Sequence, residues 1–127
     1  MFAGLGGFSA GAIAAGAEVI LGIDHDPVPL KLWSANVPSG RAVVAILGTN
    51  SNVVAQLPPP SPSLHLHAST PCTDLSQGRS ATAADIESGV CLLKWALDLI
   101  LERGDHSWSL ENVLTPRPAA YLGRRLI

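Results

Sequence analysis

Apolar residues come along this chain in short runs broken by polar turns, and the runs alternate in type. Met1-Phe2-Ala3 reads as the tail of a buried strand, and the turn F-A-G-L-G-G follows. Phe8 to Ala15 is alanine-rich and predicts a helix, with Ser9 near its start and Gly16 as its stop. Glu18 to Ile23 is a nearly continuous apolar run, as in a strand covered on both faces, and it ends at Asp24-His25-Asp26. Pro27 or Pro29 opens a second helix that carries Leu30, Leu32 and Trp33 to Asn36. Ala42 to Leu47 and Leu64 to Ala68 are further strand candidates, with one or two helical turns over Asn50 to Leu57 between them. Pro58 to Ser63, P-P-P-S-P-S, predicts an extended connector. Ala83 to Glu102 predicts the longest helix, because Ile86, Val90, Leu93, Leu97 and Ile100 or Leu101 recur at helical spacing. Gly104 ends it, and Ser107 to Leu110 is a fifth strand candidate with Glu111-Asn112-Val113 at its carboxyl end.

Strands alternating with helices predict an α/β fold, a parallel sheet with helices on both faces. Ligands of such sheets bind outside the carboxyl ends of the strands. The glycine turn, Asp24, Cys72 and Glu111 all follow strand candidates, so all four are expected on that rim.

Composition narrows the class. At 127 residues the chain is expected to form a single domain with a modest core. A hydrophobic fraction of 47% with 14% charged residues argues against disorder. The net charge of −2 gives no general attraction to nucleic acid or to an anionic membrane. Two cysteines, Cys72 and Cys91, do not make a disulfide framework, and a reducing cytoplasm or nucleus is expected. Residues 1–23 carry one charge, Glu18, yet a signal peptide would begin with positive charge and the first lysine is Lys31. Six glycines in that stretch also dilute it as a membrane span.

Each candidate residue has a plain reading beside a chemical one. The glycine turn either holds a nucleotide against a helix N-terminus or is only a tight strand-to-helix turn, since G-x-G-G meets the dinucleotide pattern in part. Asp24 either accepts both hydroxyls of an adenosine ribose or is a solvated loop acid. Cys72, stiffened by Pro71 in a polar loop, is either a nucleophile or an inert thiol. Cys91 falls within the helical pattern and is expected to pack; a Cys72–Cys91 disulfide has no support from the compartment. Glu111 at a desolvated strand end would hold a proton near neutral pH; otherwise it is a capping or paired acid. His65 and His67 share one strand face, but two histidines are too few for a metal site, and no metal is expected.

Together these residues resemble the cytosine-5 DNA methyltransferases. F-A-G-L-G-G at Phe2 to Gly7 resembles the cofactor-binding first motif, T-P-C-T-D-L-S at Thr70 to Ser76 the catalytic cysteine loop, and L-E-N-V at Leu110 to Val113 the E-N-V motif. The resemblance implies a Rossmann-like, S-adenosylmethionine-dependent fold and a DNA substrate with the target base flipped out. It implies that Cys72 attacks carbon 6 of cytosine while Glu111 holds or protonates ring nitrogen 3. Pro71, Ser76 and Asn112 would shape the substrate loops. Phe2, Gly4, Leu5 and Gly6 would line the cofactor, Asp24 would take its ribose, and His25 would stand over the adenine.

The sequence also departs from the family pattern. Thr73 replaces the usual glutamine after the cysteine, and A-I-L-G at Ala45 to Gly48 lacks the acid of the third motif. No Q-x-R-x-R motif and no target-recognition region follow the E-N-V motif, and Arg124-Arg125 do not restore them. The expectation is therefore the amino-terminal part of a catalytic domain, truncated after about five strands, with a second chain as one possible source of the rest. A tRNA cytosine-5 methyltransferase and an inactive remnant or interaction fragment are the alternatives.

Overall fold

The computed structural model describes residues 1–49, 51–72 and 83–113, with backbone only over 83–86. Thr73, Ser76 and Arg124-Arg125 lie outside the described residues, as do Asn50 and the side chain of Ile86. The chain divides between Pro59 and Pro60, inside the proline-rich patch, into two compact units. That patch is not wholly extended, because the Leu64 N–H closes a turn on the Ser61 carbonyl at 3.0 Å.

The first unit runs α1 (Gly7–Ala14), β1 (Leu21–Asp24), α2 (Pro27–Asn36), β2 (Arg41–Val44) and a 3-10 turn over Val53–Gln56. β1 and β2 pair in parallel, with Leu21 opposite Arg41 and Asp24 opposite Val44. The sequence reading placed a strand tail over residues 1–3. No strand forms there, although the Ala3 N–H does donate to the Ile23 carbonyl at 2.9 Å. β1 is also shorter than the run from Glu18, because its ladder begins where the Arg41 N–H meets the Ile20 carbonyl. β2 stops before Leu47 for a related reason: the Ala45 N–H takes the Asp24 carbonyl, and β1 offers no partner beyond it.

Helix ends in this unit have clear local causes. Gly6, not Ser9, is the N-cap of α1. Gly16 ends that helix as expected: at φ +88° its N–H bonds the Ile13 carbonyl while the Ala17 N–H reaches Ala12, the double bond of a Schellman exit. Pro27 is the first residue of α2, and the Asp26 carboxylate caps it by accepting the Val28 N–H at 2.9 Å. Leu30 and Trp33 point inward from α2 while Leu32 is exposed.

Leu30, Trp33 and Val37 form the core of this unit, with Ala3, Val19 and Ala42 packed against them. The Trp33 indole is fully buried between three glycines. A Cβ on Gly22 would lie 2.5 Å from the ring, one on Gly40 2.6 Å and one on Gly6 2.8 Å. The indole N–H donates to Ser9 Oγ at 2.9 Å, so the residue expected to cap α1 instead completes the burial of Trp33.

The second unit contains β3 (His65–Ser69), α3 (Ala83–Arg103) and β4 (Ser107–Glu111). β3 and β4 are parallel, His65 opposite Ser107 and Ser69 opposite Glu111, and the helix is the crossover such a pair requires. α3 buries Leu93, Ala96, Leu97 and Ile100 and leaves Leu101 exposed. Cys91 corrects the sequence reading: it is exposed, not packed. It precedes Leu93 by two positions, about 200° around the helix, and therefore falls opposite the buried stripe. Gly104 at φ +69° follows the helix, and Arg103, the last residue of α3, reaches past it to grip the buried Asp105 carboxylate through Nε at 2.8 Å and Nη2 at 3.1 Å.

The described residues thus give an α/β protein with two two-stranded parallel sheets, four strands where five were expected. No helix among the described residues is long and apolar enough to cross a membrane.

Candidate active site

Two constellations stand at the carboxyl ends of the strands, one in each unit. In the first, the turn before α1 takes an unusual path: Phe2 has φ +56°, Gly4 +52° and Gly6 +93°. A residue other than glycine with positive φ is uncommon. A Cβ on Gly4 would project into open space, so the backbone there is open to approach, and Leu5 is 60% exposed beside it. Gly6, by contrast, faces Trp33, and its missing side chain serves packing.

Asp24 anchors this turn. It is buried, which removes the solvated-acid alternative. Its Oδ2 accepts the Gly4 N–H at 2.7 Å and its Oδ1 accepts the Asp26 N–H at 3.0 Å. His25 Nδ1 lies 3.1 Å from the same Oδ1, with the His25 side chain 66% exposed. Each carboxylate oxygen has two lone pairs, so these bonds leave Asp24 further acceptor capacity.

In the second constellation the cysteine loop leaves β3 after Ser69 and the E-N-V loop leaves β4 after Glu111, and these two residues are register partners. Asn112 joins the loops. Its Nδ2 donates to the Thr70 carbonyl at 3.1 Å and to Thr70 Oγ1 at 2.5 Å, while its Oδ1 accepts the Val113 N–H at 2.7 Å. Thr70 is buried under this contact, Pro71 is half-buried and Cys72 is exposed as a free thiol. Glu111 is also exposed, its side chain at 70%, so the desolvated surroundings expected of it are absent.

His65 and His67 do share a face, and serines face them from β4. His65 Nδ1 lies 2.7 Å from Ser107 Oγ and Nε2 lies 2.9 Å from Ser109 Oγ. His67 Nδ1 is 2.8 Å from the same Ser109 Oγ, and its Nε2 is 3.8 Å from Glu111 Oε2. Among the described residues no group of three or more histidine, cysteine or acidic side chains is arranged to hold a metal.

Burial pushes His67 down from 6.5 to about 4, against the pull of Glu111. Between those values the unfolded chain binds a proton that the folded chain refuses, so this group's contribution to stability is complete above about pH 6.5 and is lost as pH falls toward 4. Denaturant titrations from pH 7 to 4 are expected to show that decline, and His67→Phe is expected to flatten it. An unchanged slope in His67→Phe would refute the assignment.

Sequence reasoning missed Trp33 as the filler of the glycine notch, Thr70 as the acceptor of Asn112 and the serine partners of the histidines. Only the last left a signal, the matching alternation in H-L-H-A-S and S-W-S-L-E.

A parallel α/β unit with a backbone turn fastened to a strand-end acid, and another with a cysteine loop fastened to an acid-asparagine loop, have the layout of ligand-binding α/β proteins. A family model described as C-5 cytosine-specific DNA methylase matches residues 1–115, and the chain belongs to that family. No curated protein and no solved structure matches it. At the level of the family the chain is a cytosine DNA methyltransferase, of a class generally dependent on S-adenosylmethionine, with DNA as substrate.

Proposed function

We propose that this chain carries the cofactor-binding and nucleophilic parts of an enzyme that methylates carbon 5 of cytosine in DNA through a covalent cysteine adduct. The observation that carries the reading is the Asn112 bridge to Thr70, which sets the Cys72 loop beside the Glu111 loop at one end of the β3–β4 sheet. Residues 1–127 would act as one catalytic domain with a Rossmann-like sheet. The surface that reads the target sequence would come from outside these residues, in the same or a second chain, since a net charge of −2 supplies little attraction to phosphates.

The residues around the first turn suit S-adenosylmethionine. Phe2, Gly4, Leu5 and Gly6 would line it, with open space at Gly4 admitting close backbone contact. Asp24 would accept ribose hydroxyls on its remaining lone pairs, and His25, exposed beside it, would face the adenine. When bound, the cofactor supplies an electrophilic methyl group on sulfonium sulfur.

Cys72 as thiolate adds to carbon 6 of the flipped cytosine, and the electron pair of the 5,6 double bond moves to carbon 5. Glu111 in its acid form would donate its proton to ring nitrogen 3, by hydrogen bond or full transfer, and so stabilise the charge spread onto the ring. Pro71, Ser76 and Asn112 position the loop against the base. After methylation, carbon 5 loses its proton and the ring expels the Cys72 sulfur.

Transfer of labelled methyl to duplex DNA by the gene product carrying this chain tests the reading. Label at carbon 5 of cytosine is expected, and Asp24→Ala is expected to weaken cofactor binding in calorimetry. Label on tRNA alone would give the substrate to RNA, and label on neither, in a protein that binds the cofactor, would leave a binding remnant.

A further inference from the structure

One face of the β3–β4 sheet carries a row of polar groups: hydrogen bonds link Ser107, His65, Ser109 and His67, and Glu111 Oε2 lies 3.8 Å beyond His67 Nε2, longer than a hydrogen bond. The row runs from Ser107 to Glu111, four residue steps or about 13 Å along the strand. We propose that Ser107, His65, Ser109 and His67 are positioning residues for Glu111, forming a hydrogen-bonded relay whose direction is set by whether Glu111 accepts or donates. The catalytic use of this relay rests on the role proposed for Glu111; its existence does not.

The direction follows from donor and acceptor counts. A carboxylate only accepts, so an ionised Glu111, 3.8 Å away on a 70% exposed side chain that can rotate to close the gap, favours the proton of His67 on Nε2. His67 Nδ1 is then an acceptor, and Ser109 must give it its one hydroxyl proton. Ser109 can therefore only accept from His65, which places the His65 proton on Nε2. His65 Nδ1 is left to accept from Ser107. Burial, which keeps His67 neutral at neutral pH, restricts that ring to one proton and gives the chain its single polarity.

A protonated Glu111 is served by the opposite polarity. Reversal moves one proton across each link. The His67 Nε2–H bond breaks as Glu111 O–H forms, Ser109 passes its proton to His67 Nδ1, and His65 passes its Nε2 proton to Ser109. Ser107 passes its own to His65 Nδ1 and regains one from solvent at the exposed end, with no electron exchanged. A base bound over Glu111 would shield it from water, and the exposed Ser107–His65 end would then remain as its proton source.

Histidine tautomers read this directly. Nitrogen-15 NMR of the chain at pH 8, above the ordinary histidine range, distinguishes the two ring nitrogens. Both His65 and His67 are expected in the Nε2–H form. Glu111→Lys places a donor-only group at the His67 end of the row, and both rings are expected to switch to Nδ1–H. With Ser109→Ala added, His67 alone should switch and His65 should not respond. A His65 tautomer that ignores residue 111 while Ser109 is present overturns the relay, as does a His67 that ignores it. The readout needs no methyl transfer, so a failed relay and a failed methylation assay give separate results.

Discussion

Cys72→Ser is expected to abolish the covalent adduct with DNA whose target cytosine carries fluorine at carbon 5. Fluorine cannot leave as a proton does, so the sequence of attack and methylation stops with sulfur still bound to carbon 6. The test uses the chain supplied, as proposed above, with a DNA-reading region. The adduct survives denaturing electrophoresis in the unsubstituted protein and should be absent from Cys72→Ser at every incubation time. Cys91→Ser is the control. Cys91 is as exposed as Cys72 in kind, yet it stands on the outer face of α3 and not in the loop that Asn112 pins. Glu111→Gln should slow adduct formation by roughly 100-fold, the usual scale for a positioned acid. A normal adduct from Cys72→Ser would sink the mechanism.

Trp33→Ala is expected to destabilise the first unit by about 3–5 kcal/mol, the range for deleting a fully buried large side chain. Against a typical domain stability of about 5–15 kcal/mol that is close to unfolding. The glycines sharpen the test. Gly22→Ala forces a methyl into a ring 2.5 Å away, at an expected cost of about 1–3 kcal/mol. Combining Gly22→Ala with Trp33→Leu should cost less than the sum of the two, because the smaller side chain vacates the space the methyl needs. Strict additivity in denaturant unfolding would show that the glycine is there for another reason.

What the sequence disclosed was what local chemistry determines. Proline at the start of α2, glycine after α1 and glycine after α3 act within a few residues, and each stood where the pattern placed it. The alternation of strand and helix was legible for the same reason, and so were the motifs, which are contiguous. Strand ends were less so: β1 and β2 stop where the partner stops, and no residue in either records the other's length. Ser9 shows a further limit. Next to a helix start it reads as a cap, and only the distant indole reveals its use. Cys91 was misplaced because membership of a helix was read as burial, while its angular position relative to Leu93 and Leu97 decides the matter. The roles of Cys72, Asp24 and Glu111 came from motif resemblance; the structure adds the Asn112 bridge and the bonds of Asp24, which no spacing foretold.

Those Asp24 bonds close a circuit. Gly4 is tied to Asp24, Asp24 to the backbone of Asp26, Asp26 to the start of α2, and α2 carries Trp33 back beneath Gly6, two residues from where the path began. A ring of contacts of this kind has few independent ways to deform, so a pull at one station is felt at the others. The indole at its far side is also a chromophore. Any molecule that draws the Asp24 carboxylate toward itself would strain the ring and shift the light Trp33 emits, giving the turn a built-in optical gauge of its own occupancy.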